Sequence, residues 1–196
     1  MNKISNLFQK ISGYISIAVF AIVFVYALGM ATPAQPCTLY NNTKVVNFYS
    51  DIMPYNNGIL ILAIVGLLIS AFYYILRNHV RQVFYVSNFV WGGLYAVFSI
   101  VTFVFIIISV VTYKNLYMAL DFEKMNTYWA NHGSSTTINP NTCVFALGFV
   151  VAVLVLLSIA PYVFVYIDKI KGRIRYEENK KDGVENPVSY VKGEVK

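Results

Sequence analysis

Apolar residues fall in four long blocks, Ile11 to Met30, Ile59 to Leu76, Val83 to Thr112 and Cys143 to Ile167, and no Asp, Glu, Lys, Arg or His interrupts any of them. Each block supplies close to the ~20 residues that an α-helix needs to cross a ~30 Å hydrocarbon core. The blocks are continuously apolar, whereas the strands of a membrane barrel alternate in polarity. The pattern therefore predicts an all-α membrane protein: four transmembrane helices in an antiparallel bundle, with both termini cytoplasmic and two extracytoplasmic loops.

The predicted organisation is a cytoplasmic N-terminus over 1–10, a first span over 11–31, an outer loop over 32–57 and a second span over 58–76. A short cytoplasmic turn over 77–82 and a third span over 83–112 follow. A second outer loop over 113–142, a fourth span over 143–167 and a basic tail over 168–196, partly disordered, complete it. Two prolines in Thr32-Pro33-Ala34-Gln35-Pro36 oppose helix at the start of the first outer loop, and Pro54-Tyr55-Asn56-Asn57-Gly58 reads as a closing turn. Gly29-Met30-Ala31 resembles a cleavage site, but the apolar run before it exceeds the ~7–15 residues of a signal core, so the first block is read as a span.

Composition agrees with a chain made for lipid: 58% hydrophobic, 16% aromatic and 12% charged residues exclude an ordinary soluble domain. Charge sets the expected orientation. Two cations precede the first span (Lys3 and Lys10), two lie at the turn (Arg77 and Arg81) and eight occupy the tail. Only Lys44, Lys114 and Lys124 fall on the other side. By the positive-inside bias both termini belong in the cytoplasm, and the net charge of +6 is a topology signal with no nucleic-acid partner implied.

Within the second outer loop Met118, Phe122, Met125 and Trp129 recur at i, i+4, i+7 and i+11, which predicts an amphipathic helix over 116–130. Its apolar stripe suits packing on the protein itself or at the membrane surface, or docking to a partner. In the tail Ile167, Ile170 and Ile174 are spaced among Lys169, Lys171, Arg173 and Arg175, a pattern suited to anionic lipid headgroups at the cytoplasmic face.

Candidate chemistry is sparse. Cys37 and Cys143 fall at the same outer boundary, and in an oxidising compartment they are expected to form a disulfide. Asn41-Asn42-Thr43 has the form of a glycosylation sequon. His79 and His132 lie on opposite faces and cannot share a metal; no metal or cofactor motif is present, and no catalytic residue is assigned. The spans carry no ionisable residue of the kind that proton and ion relays use.

Hydroxyls at Ser99, Thr102 and Ser109 could line an oligomeric pore, although such groups commonly bond their own backbone. Small residues four apart (Ser12 and Ser16, Gly66 and Ser70, Gly148 and Ala152) mark close helix contacts, and Pro161 should kink the fourth span by freeing the Leu157 carbonyl. The tip Arg77, His79 and Arg81 anchors the hairpin in the cytoplasm and is the candidate contact for a headgroup or a partner. These features favour a non-catalytic accessory or interaction subunit with a membrane-protein partner or a second copy of itself. The alternatives are a channel or transporter component that acts on oligomerisation, and a lipid-acting enzyme in which the same tip holds phosphate.

Overall fold

A computed structural model describes residues 3–31, 43–78, 86–133, 135, 137, 139–140 and 142–182. All regular structure among them is helical: α1 (Lys3–Ala31), α2 (Thr43–Asn78), α3 (Val86–Met118), α4 (Phe122–Asn131), α5 (Cys143–Leu157) and α6 (Ala160–Lys181). Four stretches are long and apolar enough to cross a membrane, namely Ile11–Met30, Asn47–Ile75, Val90–Met118 and Cys143–Phe164. The last of these combines α5 with the start of α6.

The helices interlock because buried positions recur alternately every four and three residues. On α2 the buried series runs Ile52, Asn56, Ile59, Ala63, Gly66, Ser70 and Tyr73, and on α3 it runs Gly92, Tyr95, Ser99, Thr102, Ile106, Ser109 and Tyr113. This 3.5-residue spacing keeps one seam facing its neighbours over many turns. α1 packs on α2, α2 on α3 and α3 on α5, while α5 and α6 return to α1. Phe20 of α1 is the central knob: fully buried, it reaches across to Tyr95 and Phe98 of α3, with ring centroids 6.0 and 5.8 Å away.

Glycines make room for the rings. A Cβ at Gly66 would fall on the Phe20 ring, one at Gly58 on Phe105, one at Gly92 on Tyr162, and one at Gly148 on the Tyr26 hydroxyl and Val110. Close approach of this kind is the packing expected where apolar lipid gives no hydrophobic drive between helices.

Three boundaries differ from the sequence pattern. α2 begins at Thr43, so residues 43–57, expected as outer loop, are helical, and Pro54 lies inside the helix. Proline removes one backbone donor there, but the turns around it are held by packing. Ile52 and Asn56 are buried, Tyr55 meets Tyr113 edge-on at 6.3 Å and Phe48 meets Tyr117 at 6.2 Å. Gly58, read from sequence as part of a turn, provides the space for Phe105 instead.

The second difference follows Tyr113. α3 continues to Met118, and the amphipathic helix starts only at Phe122. Asp121 sets that start, because its carboxylate accepts a hydrogen bond from the Lys124 N–H at 3.0 Å and the Lys124 ammonium lies 3.0 Å from the same group. A carboxylate in this position supports a new helix N-terminus better than it supports continuation of the old helix.

The third is a break in the fourth span at Ser158 and Ile159. At this break, two residues before Pro161, the Ile159 N–H bonds the Leu156 carbonyl at 3.2 Å. Beyond it α6 runs on through the basic segment to Lys181. Residues 183–196, assigned to the disordered end of the tail, lie outside the described residues.

Candidate functional site

Where α1 begins, α2 ends and the fourth span breaks, the heptad seams bring a set of hydroxyls together inside the helices. Ser12 and Tyr73 are hydrogen-bonded at 3.1 Å. The Tyr73 ring stacks on Tyr95, with centroids 6.2 Å apart and planes 16° apart, and meets Tyr162 edge-on at 5.9 Å. Tyr95 closes the set by bonding Ser158 at 2.5 Å. Ser158 donates its own proton to the Val155 carbonyl at 2.6 Å, so Tyr95 is the donor in that bond.

Tyr162 slides under α3 in the space left by Gly92, and its hydroxyl is buried with no hydrogen-bond partner among the described residues. Ser99 lies beside the Tyr95 hydroxyl, one turn further along α3. These groups are all neutral. They can orient one another and fix the direction in which α6 leaves the break, but they include no carboxylate or imidazole to take up a proton near neutral pH.

A second polar group sits near the other end of the spans. Tyr113 is fully buried on α3 and lies edge-on to Tyr55 of α2, while the Tyr26 hydroxyl of α1 rests against Gly148. The hydroxyls of Tyr26 and Tyr113 and the Asn56 carboxamide oxygen are buried with no hydrogen-bond partner among the described residues.

Comparison with protein family models, curated proteins and solved structures finds no match. Function is therefore argued from the residues alone.

The hydroxyls considered as pore-lining are turned inward, and two of the three, Thr102 and Ser109, are closed on their own helix. Ser99, Thr102 and Ser109 are all buried, with Thr102 donating to the Phe98 carbonyl at 2.9 Å and Ser109 to the Phe105 carbonyl at 2.8 Å. Ser16 likewise bonds the Gly13 carbonyl at 2.8 Å. This saturates the donors locally and leaves the surfaces of the seam small.

The expected docking stripe is divided between two helices. Met118 ends α3 and is 51% exposed, whereas Met125 on α4 is 1% exposed. Phe122 and Trp129 are half-buried. Tyr117 explains part of this arrangement, since it gathers Phe48, Phe122 and Phe145 around one ring at 6.2, 5.0 and 5.4 Å. His132 is exposed just past the end of α4, where its Nδ1 lies 2.8 Å from the Tyr128 carbonyl and its ring lies 4.1 Å from the Tyr128 ring. Gly133 follows at φ 77°, a left-handed position natural to glycine after a helix.

Of the cationic tip, Arg77 lies in the last turn of α2, while His79 and Arg81 lie outside the described residues. Lys169, Lys171, Arg173 and Arg175 all lie on α6, where Lys171, Ile167, Ile170 and Ile174 are exposed. Cys143 is exposed at the first position of α5, and Cys37 lies outside the described residues, as does the Asn41 sequon position.

Proposed function

We propose that this chain is an integral membrane accessory subunit: a four-span antiparallel bundle with both termini cytoplasmic, acting by contact with another membrane protein and carrying no catalysis of its own. The observation that carries this reading is the chemistry of the buried seam. Among the described residues its polar members are hydroxyls and one carboxamide, namely Ser12, Ser16, Asn56, Ser70, Ser99, Thr102, Ser109 and Ser158 together with the tyrosines. Several bond their own backbone, and aromatic rings fill the spaces that the glycines leave. A seam of this kind supports a self-closed scaffold whose working surfaces face outward.

Support for the antiparallel arrangement comes from pairing of opposite helix ends, Ser12 near the start of α1 with Tyr73 near the end of α2, and Phe48 near the start of α2 with Tyr117 near the end of α3. The charge asymmetry supports cytoplasmic termini in the plasma or cytoplasmic membrane. The outer surfaces proposed for contact are the extracytoplasmic segments, with Met118 and the half-buried Phe122 and Trp129, and the inner one is α6. Cys37 and Cys143 are proposed as a disulfide at the outer boundary.

The alternative from another class is a pathway component that becomes competent on oligomerisation. Reconstitution separates the two. The purified chain alone in liposomes should give no ion or solute flux above protein-free vesicles, and reproducible flux abolished by substitutions at Ser99, Thr102 and Ser109 would replace the accessory reading.

A further inference from the structure

At the end of the spans opposite the Ser158 break, three helices each bury a polar group that has no hydrogen-bond partner among the described residues. They are the Tyr26 hydroxyl on α1, the Asn56 carboxamide oxygen on α2 and the Tyr113 hydroxyl on α3. Tyr113 is fully buried and Asn56 is 5% exposed. Contacts bring the three into one region. Tyr55 meets Tyr113 edge-on at 6.3 Å, and Asn56 follows Tyr55 directly on the inward face of α2. Tyr26 and Tyr55 both lie close enough to Tyr113 to interact with it electrostatically. Gly148 of α5 completes the surroundings, because a Cβ there would fall on the Tyr26 hydroxyl and on Val110, three residues before Tyr113.

These groups differ from the serines and threonines of the seam in what they can do for themselves. A hydroxyl on Cβ can turn back to the carbonyl four residues earlier, as those of Thr102 and Ser109 do. A phenol holds its hydroxyl far from its own backbone, and a carboxamide oxygen only accepts, inside a helix whose N–H groups bond one another's carbonyls. Neither is satisfied locally, and lipid offers no hydrogen bond in its place. An unpaired polar group here carries its full desolvation cost. The Tyr26 and Tyr113 hydroxyls are moreover neighbours that do not bond each other, which is the relationship a bridging water fits.

We propose that Tyr26, Asn56 and Tyr113 hold a buried water molecule that links α1, α2 and α3 at this end of the bundle. The donors and acceptors match: one water accepts a proton from each phenol and donates to the Asn56 oxygen. Three partners is the usual number for a water inside a protein. Other small ligands fit the same atoms less well. An anion would face the lone pairs of the Asn56 oxygen, and a hard cation takes about six or more oxygens where this site supplies three. The site belongs to the seam and does not depend on the accessory role, so a chain that gave flux on its own would hold the same water.

The test joins a crystal structure of the full chain, grown from a lipid mesophase and resolving ordered water, to equilibrium unfolding of variants in bicelles. A density peak of water size should lie within hydrogen-bond reach of the Tyr113 hydroxyl and of Tyr26 or Asn56. Tyr113→Phe keeps the ring and removes one partner of the water, so it should lower the folded-to-unfolded ratio by about threefold to tenfold, as should Tyr26→Phe. Combining both with Asn56→Leu removes every group that needs the water, and the loss should fall short of the three single losses combined. Phenols bonded directly to each other with no peak between them, or density too large for water, would overturn the proposal. So would an unchanged or raised ratio in either tyrosine variant, or strictly additive losses in the triple variant.

Discussion

The Tyr95 hydroxyl donates to Ser158 Oγ across 2.5 Å at the point where the fourth span breaks, tying α3 to the junction between α5 and α6. Ser158 can accept this bond because its own proton is committed to the Val155 carbonyl. A double-mutant cycle of Tyr95→Phe and Ser158→Ala, followed by unfolding in detergent or bicelles, should give a coupling of about 0.6 kcal/mol or more, up to the ~1.7 kcal/mol maximum of interhelical hydrogen bonds in membranes. Additive effects of the two substitutions would show that the pair does not fix the junction.

Gly92 and Gly93 make an internally controlled comparison. A Cβ at Gly92 meets the Tyr162 ring, whereas one at Gly93 has nothing within 4 Å. Gly92→Ala should destabilise the chain by about 1–3 kcal/mol through overpacking, and Tyr162→Leu in the same chain should recover part of that loss. Gly93→Ala should be close to neutral or slightly favourable, since alanine has the higher helix propensity.

Asp121 is expected to control α4 without affecting the spans. Asp121→Ala removes the side-chain cap on the Lys124 N–H and should weaken the helix by about 1 kcal/mol, while Asp121→Asn should retain most of the effect. Hydrogen exchange is the measurement that resolves it. Amides of Phe122–Asn131 should exchange about fivefold faster in the alanine variant, with those of α3 and α5 unchanged.

The proposed disulfide is testable by alkylation. In native membranes neither Cys37 nor Cys143 should react with a maleimide before reduction, and both should react after reduction and unfolding. Removal of either cysteine should expose the other, so a Cys37→Ser chain whose Cys143 labels while the unreduced parent stays unlabelled identifies the partner. Ready labelling of both in the unreduced parent would contradict the bridge.

The four helices of spanning length were legible in the sequence because lipid imposes a simple rule, and four long blocks without ionisable residues leave little freedom. The helix boundaries were less legible. Pro54 and Gly58 carry the local signature of a turn, yet α2 continues through them with Ile52 and Asn56 buried and Tyr55 against Tyr113, and that information resides in another helix. Asp121 was readable as a helix start, but the apolar spacing from Met118 onward ran across it and masked the change of helix. The hydroxyl cluster was written in the sequence as well. Tyr73, Tyr95 and Tyr162 carry no signal one at a time, and only the four-and-three spacing that places Tyr73 with Ser70, and Tyr95 with Ser99 and Thr102, turns the first two inward.

The accessory role is tested most directly by isolating the full chain from its native membrane in mild detergent and measuring the mass and composition of the particle. A stoichiometric complex with a distinct membrane protein, weakened by substitutions on the outward faces and preserved by conservative changes in the seam, is the expected result. A particle that contains only copies of this chain, together with flux in liposomes, would contradict it.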